Sequence, residues 1–203
     1  MKTLATKFFG MVLFAFLLIG CESNVVSPDS QTDVSKTGVY DLTDAVTSAI
    51  TQEEIDGLIH MRIEEKIARD AYIVFGNTWN AKVFLNIQVS EQAHMDAVKA
   101  KLDKFNIPDP LTSDEVGVFP DAYPDFQDLY DQYIAQGNQS LYQALLAGVA
   151  IEELDIADLE AQLELATNPG IINMYTNLKN ASTSHLAAFN KNLIGCSIAE
   201  IAE

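Results

Sequence analysis

Six carboxylate and imidazole side chains stand at positions where the flanking helical pattern is apolar. They are Glu65, Glu91, His94, Glu152, Asp155 and His185. Glu91 and His94 stand at i and i+3, a spacing that puts both side chains on one face of a helix. Burying several carboxylates costs several kcal/mol each unless cations compensate, and two histidines are too few for that. A pair of divalent metal ions would balance the charge, because carboxylates and imidazoles are the ligands that iron and manganese take in helix bundles.

A second interpretation places these acids on solvated helix faces. Glu64–Glu65 and Glu152–Glu153 are doublets in a chain with 29 acidic and 12 basic residues and a formal net charge of −17. The spacing of the apolar residues favours Glu65 over Glu64 as the inward member. Four helical segments that each carry a ligand-type residue in the middle of their apolar face favour the metal site. The acidity also opposes binding of nucleic acid.

Apolar periodicity over residues 51–194 predicts an all-α domain of four helices. Thr51 and Glu54 have the spacing of a capping box, and Gly76–Asn77 is a typical helix end. Asn168–Pro169 is typical of an N-cap followed by proline at the first helical position. The predicted helices span about 52–75, 82–105, 139–166 and 169–194.

The lengths of the connections predict the topology of these helices. Helices one and two, and helices three and four, are joined by a few residues, so each pair should be an antiparallel hairpin. Residues 106–138 form a long crossover with a short helix near 126–135. Two hairpins joined by one long crossover are the ferritin-like four-helix arrangement. The aromatic residues of the crossover either seal the bundle or form a recognition surface for a protein partner: Phe119, Tyr123, Phe126, Tyr130 and Tyr133.

The first 20 residues have the pattern of a secretory signal peptide. Lys2 and Lys7 precede an apolar run at residues 8–20, which is shorter than the about 20 residues that span a bilayer. The run ends at Leu18-Ile19-Gly20-Cys21, which resembles the bacterial lipoprotein box, whose cysteine is lipidated. An ordinary signal peptide or a short membrane anchor is the alternative.

The resemblance to lipoproteins predicts a protein of the cell envelope that faces the periplasm or the exterior. Lipidated Cys21 would anchor it to the membrane, residues 21–50 would be a flexible tether, and residues 195–203 a C-terminal tail. Cys196 would then have no disulfide partner within the chain.

Four stretches resemble the DUF2202 family, a ferritin-like family of bacterial and archaeal proteins. They are HMRIEEKIARDAY (60–72), SEQAHMDAVKAKLDKFNIPDP (90–110), IEELDIADLE (151–160) and SHLAAF (184–189). The segment from Glu65 to Tyr72 is also similar to the first-helix ligand motif of rubrerythrin-type proteins. The resemblance covers residues of about 51–193, which is nearly all of the predicted helical domain.

The resemblance implies a di-metal site with ligands from all four helices. Carried over to this sequence, it assigns metal ligation to Glu65, Glu91, His94, Glu152 and His185. The chain departs from the pattern at Ser182, which stands where a bridging glutamate is expected. Asp155 could replace that acid; otherwise the site holds one metal. Tyr72 is expected to donate a hydrogen bond to a ligand, and Ser182 to lie beside the ligands.

Two functions follow from these patterns. The first is a metal-dependent oxidoreductase that acts on ferrous ion or peroxide, with one or two iron ions as the expected cofactor and manganese as the alternative. The second is a non-catalytic surface lipoprotein that sequesters metal or binds a protein partner. Rubrerythrins also carry an iron bound by cysteines, and the two cysteines of this chain are too few for such a domain. The sequence leaves open whether the protein is a monomer or a dimer.

Overall fold

The computed structural model describes the backbone of residues 50–201 and the side chains of residues 50–196. The predicted signal peptide, Cys21 and the predicted tether up to residue 49 lie outside the described residues. Five helices lie within the described part of the chain: α1 (Gln52–Trp79), α2 (Lys82–Lys104), α3 (Pro124–Gly137), α4 (Leu141–Leu165) and α5 (Pro169–Ile201). Residues 50–201 contain no strand, so the all-α prediction is confirmed. None of the described helices has both the length and the apolar character to cross a membrane.

Helix α1 begins as predicted and ends later than predicted. The Thr51 side chain accepts a hydrogen bond from the Glu54 amide, and the Glu54 carboxylate accepts one from the Thr51 amide. The predicted end at Gly76–Asn77 is wrong, because Gly76 serves close helix packing: a Cβ there would lie 2.8 Å from Leu85 Cδ2. The last helical residue is Trp79, and Asn80 caps the helix with a left-handed φ of 49°.

The helices pack mainly as two pairs. Helix α1 packs along α2, and α4 packs along α5, with links of only residues 80–81 and 166–168. Helix α1 also contacts α4, and α2 contacts α5, so the four long helices enclose one interior. The short crossover helix α3 lies against α4 and α1. Helix α5 continues to Ile201, so residues 195–201 of the predicted tail extend the last helix.

Two apolar layers fill the bundle, and the polar residues predicted as ligands lie between them. One layer includes Tyr72, Phe75, Phe84 and Phe189. The other includes Met61, Val98, Leu102, Leu159, Tyr175 and Leu178. Along α2, for example, Ile87 belongs to the first layer and Val98 to the second, with Glu91 and His94 between them. The predicted ligands are therefore enclosed along the bundle axis by apolar side chains.

Three basic residues of α1 hold the crossover against the bundle. Arg62 donates two hydrogen bonds to Asp109, at 3.1 and 3.0 Å. Lys66 forms a fully buried ion pair with Asp70 and donates to the Glu115 carbonyl at 2.7 Å. Arg69 bridges Asp70 and Asp114, at 2.7 and 3.1 Å. These cations therefore compensate Asp70 and the crossover acids.

The aromatic residues of the crossover face the bundle. Phe119 and Tyr130 are buried, with 6% of each residue exposed. Tyr123, Phe126 and Tyr133 are partly buried and pack against the same apolar layer. This packing favours the interpretation in which they seal the bundle over the one in which they form a recognition surface.

Candidate metal centre

One histidine of α2 faces two carboxylates in the interior. His94 Nδ1 lies 2.8 Å from Glu91 Oε2, three residues earlier on the same helix. It also lies 3.2 Å from Glu65 Oε2, which α1 contributes. Each of the three residues offers one ligand atom, and these atoms lie within 4.8 Å of one another.

A second group of three lies beside the first and shares Glu91 with it. His185 Nδ1 from α5 lies 2.8 Å from Glu91 Oε1 and 3.6 Å from Glu152 Oε2 of α4. The imidazoles of His94 and His185 are stacked, with ring centroids 5.5 Å apart and an angle of 24° between the rings. Glu91 therefore presents one oxygen to each histidine and lies between the two groups.

Several polar atoms of the six predicted ligands have no hydrogen-bond partner, although they are buried. They are Glu65 Oε1, Glu91 Oε1, Asp155 Oδ1 and His185 Nδ1. His185 Nδ1 and Glu91 Oε1 lie 2.8 Å apart, but the angles of this contact do not fit a hydrogen bond. Unpartnered buried polar atoms are rare because each costs free energy.

The residues present fit metal ions at these positions. The atoms without hydrogen bonds are nitrogen and oxygen donors of the type that iron and manganese bind. Donors at about 2.0–2.2 Å from one ion lie roughly 3 Å from each other, which matches the contacts of 2.8 and 3.2 Å around His94.

Without a metal ion, the carboxylates favour protonated imidazoles at this site. Burial disfavours charged imidazoles, but Glu65 and Glu91 outweigh this effect and raise the pKa of His94 to about 11. In the same way, Glu152 and Glu91 raise the pKa of His185 to about 9. Burial would raise the pKa of Glu91, yet the two imidazoles lower it to about 2. A metal ion that binds these ring nitrogens would therefore displace protons from both imidazoles.

The other two predicted carboxylate ligands have raised pKa values. Burial and the nearby Glu91 carboxylate raise the pKa of Glu65 to about 8. Burial likewise raises the pKa of Glu152 to about 7, with the charge of Glu91 contributing. Both acids are thus largely or partly protonated near neutral pH, which limits the repulsion among the carboxylates.

Asp155 and Ser182 lie next to this arrangement and belong to neither group of three. Asp155 is buried, whereas Ile156 is only half-buried, so the inward face of α4 passes through Asp155. Burial and the charges of Glu65 and Glu64 raise the pKa of Asp155 well above its usual range. The Ser182 hydroxyl donates to the Leu178 carbonyl at 3.0 Å. Glu91, and not Asp155, lies between the two histidines.

Tyr72 holds one of the carboxylates. Its hydroxyl donates to Glu152 Oε1 at 2.7 Å, and the ring is fully buried. Burial and the adjacent acids raise the pKa of Tyr72 well above its usual value, so the phenol keeps its proton. The bond leaves Glu152 Oε2 directed towards His185.

Comparisons with known proteins agree with the sequence motifs. The family model described as an uncharacterized protein domain, DUF2202, matches residues 36–197. The chain belongs to the DUF2202 family. It is 48% identical over 140 residues to "Uncharacterized protein MJ0754" of Methanocaldococcus jannaschii, across 69% of this chain and 75% of that protein. The crystal structure of hypothetical protein MJ0754 from Methanococcus jannaschii DSM 2661 is similar, with a TM-score of 0.71 and 46% identity, over 73% of this chain and 84% of that one.

The bundle of this DUF2202 protein also carries a third group of ligand-type residues that the sequence did not predict. His60, Glu64 and Asp158 each offer one ligand atom, and these atoms lie within 4.8 Å of one another. Glu64, the doublet member expected off the inward face of α1, is in fact buried. The i, i+4 spacing of His60 and Glu64 was the available signal.

The metal-free DUF2202 bundle should lose stability as pH rises from about 5 to about 9. Folded His94 and His185 keep protons up to pKa values of about 11 and 9, against 6.5 when unperturbed. Folded Glu65 and Glu152 keep theirs up to about 8 and 7, against 4.5. The folded state therefore binds more protons than the unfolded chain in this range, so the free energy of unfolding must fall with pH.

Chemical denaturation at pH 5, 7 and 9 with a chelator present measures this dependence. Saturating metal should reverse the slope, because metal competes with protons for the same atoms. A free energy of unfolding that stays constant or rises from pH 5 to pH 9 without metal would contradict the proton assignment.

Proposed function

We propose that the protein binds two transition-metal ions between the apolar layers and uses them as an oxidoreductase on ferrous ion or peroxide. Iron is the proposed cofactor, with manganese as the alternative. The observation that carries the proposal is the pair of histidine and carboxylate groups that share Glu91. We also propose that the bundle is ferritin-like, which is supported by the two helix pairs joined by a long crossover.

The proposed ligands form two positions for metal ions. Glu65 and His94 would hold one ion, Glu152 and His185 the other, and Glu91 both. Bound iron would supply the one-electron chemistry that protein side chains lack. Tyr72 orients Glu152 by its hydrogen bond.

The protein must also control water and protons around this site. The apolar layers on either side of the ligands restrict the access of water along the bundle. On binding a metal ion through Nδ1, His94 and His185 would each give up a proton. Proton release should therefore accompany metal uptake.

The substrate side of the proposal balances without a further redox group. One hydrogen peroxide accepts two electrons from two ferrous ions, which become ferric. It also takes up two protons from solvent, and two waters form. The described residues contain one cysteine, Cys196, so they cannot form a cysteine-ligated iron centre. The electrons would come from ferrous ion itself or from a partner protein.

Turnover of ferrous ion tests the catalytic part of the proposal against metal sequestration. The full chain, loaded with ferrous ion without oxygen, should oxidise further ferrous ion catalytically when peroxide or oxygen is added. The Glu91→Ala variant should oxidise it no faster than buffer does. If the loaded protein retains iron but gives no turnover with either oxidant, the sequestration function is correct.

We further propose that Cys21 is lipidated and tethers the bundle to the cell envelope, facing the periplasm or the exterior. The support is the charged start, the apolar run and the Leu-Ile-Gly-Cys junction. Mass spectrometry of the native protein should find a mature chain that starts at a lipid-modified Cys21. An unmodified Cys21 in the native protein would contradict this proposal.

A further inference from the structure

A histidine and two acids meet on the outer side of α1, away from the shared Glu91. His60 and Glu64 are one turn apart on α1, and Asp158 faces them from α4. His60 Nε2 lies 3.1 Å from Asp158 Oδ2 and 3.3 Å from Glu64 Oε2. A single ring nitrogen therefore lies within reach of two carboxylates from two helices.

Glu64 is the residue that an ordinary ion pair does not explain. Only 4% of it is exposed, and neither of its carboxylate oxygens has a hydrogen-bond partner. The Nε2 position of His60 is in hydrogen-bonding geometry with Asp158. One N–H cannot satisfy both acids, so the Glu64 carboxylate stays buried and unpartnered, which costs free energy. A cation that replaces that proton and lies among the three groups could contact all three ligand atoms at once.

The group is open to ions from solvent. It lines a pocket of about 360 Å³. The side chains of His60 and Asp158 are 39% and 33% exposed, so hydrated ions have access to them. The exposed Asp125 adds a further negative charge at the rim, and no lysine or arginine is among the described residues that line the pocket. The pocket thus attracts cations and offers no built-in counterion other than His60.

The crossover helix packs against the imidazole of His60. The Phe126 ring of α3 meets the His60 ring edge to face, with centroids 5.1 Å apart. This contact limits rotation of the imidazole and keeps Nε2 directed at the two carboxylates. A ligand held in place before the ion arrives loses less conformational entropy on binding.

We propose that His60, Glu64 and Asp158 form a second, solvent-accessible site for a divalent transition-metal ion. One imidazole and two carboxylates are a ligand set for zinc, ferrous or manganous ion. Solvent water completes the coordination, since the pocket is open on one side. The site is independent of the proposed di-metal centre, because it shares no ligand with that centre.

Histidine NMR on the full chain tests this site directly, because the chain has three histidines and each belongs to one group of ligands. Zinc ion is the probe. Zinc should move the ring nitrogen signals of His60 in the unsubstituted chain and in the Glu91→Ala variant. The His60→Gln variant identifies the His60 signal by its loss. Unmoved His60 signals at millimolar zinc in the unsubstituted chain would overturn the proposal.

Matched substitutions distinguish coordination of the metal ion from nonspecific electrostatic attraction to the pocket. Equilibrium dialysis should show that His60→Gln and Asp158→Asn weaken zinc binding at this site by at least about 10-fold. Losing even the hydrogen-bond partner of a metal ligand lowers metal affinity by about 10–100-fold, so losing a ligand should lower it at least as much. Asp125→Asn removes the same charge from the same pocket and should bind zinc as the unsubstituted chain does. Equal weakening by Asp125→Asn and Asp158→Asn would overturn the proposal in favour of diffuse attraction.

The same NMR spectra distinguish this proposal from the proposed function. If zinc moves His60 while His94 and His185 stay unchanged, the outer site exists and the di-metal centre does not. If zinc moves only His94 and His185, the outer site is wrong and the proposed di-metal centre stands.

Discussion

Replacing Glu91 with alanine will abolish metal binding at both interior positions. Glu91 is the only residue that both groups share, with one oxygen 2.8 Å from each histidine nitrogen. Losing an outer partner of a metal ligand already costs about 10–100-fold in affinity, and losing a shared ligand must cost more at each position. Titration calorimetry with ferrous ion under nitrogen, together with elemental analysis after dialysis, measures the loss.

The matched control for Glu91→Ala is Glu153→Ala. Glu153 is exposed, follows the proposed ligand Glu152 directly, and lies in neither group of three. Its removal takes away one negative charge near the site and no ligand atom, so affinity should change little. Glu64 does not serve as a surface control, because it is buried and belongs to the outer group. Unchanged ferrous ion binding by a folded Glu91→Ala variant would refute the shared-ligand arrangement.

Replacing Asp70 with alanine will destabilise the protein by about 3–5 kcal/mol, the usual cost of removing one partner from a buried ion pair. Asp70 and Lys66 both have 0% exposed side chains and face each other on α1. Asp70 also accepts hydrogen bonds from Arg69 and from the Gly117 amide of the crossover, at 2.8 and 2.9 Å. Its removal therefore leaves a buried ammonium group and frees the crossover.

Denaturant unfolding monitored by circular dichroism measures this loss, and Lys99→Ala is the control. Lys99 and Asp103 form an ion pair of the same i, i+4 spacing on α2, but their side chains are 44% and 62% exposed. Exposed pairs contribute about 0–1 kcal/mol, so this substitution should change stability little. Comparable destabilisation by the two variants would show that burial does not determine how much the Lys66–Asp70 pair contributes to the free energy of unfolding.

Much of the fold could be predicted because local signals agreed with the final packing. The capping box at Thr51 and Glu54 begins α1 as expected, and the short links produce the two helix pairs. The end of α1 could not be predicted from Gly76, since glycine there serves the close approach of Leu85 from α2. That contact depends on how two helices pack, which residue type alone does not reveal.

The six candidate ligands were selected by their positions on apolar helix faces, and five of them lie close together in the structure. The i, i+3 spacing of Glu91 and His94 places both on one face of α2, independently of how the neighbouring helices pack. Asp155 has the same spacing from Glu152, yet it lies outside both groups of three. The rotation of α4 about its axis decides which of these two acids faces His185, and periodicity does not determine rotation to that accuracy.

The outer site of His60, Glu64 and Asp158 could not be predicted from the sequence, because the crossover partly buries it. Glu64 lies off the inward face of α1, and His60 precedes it by one turn on the same side. Helix α3 covers this side, with Phe126 against His60 and Leu129 lining the same pocket. Only the three-dimensional path of residues 106–138 turns a solvated face of α1 into a partly buried one.

Anomalous scattering at the iron edge tests the central claim most directly. Crystals of the full chain, loaded with ferrous ion in the absence of oxygen, should show two neighbouring peaks in the interior. One should lie among Glu65, Glu91 and His94, and the other among Glu91, Glu152 and His185. The account is contradicted if iron-loaded crystals show no anomalous peak at either position while those five side chains keep the metal-free contacts.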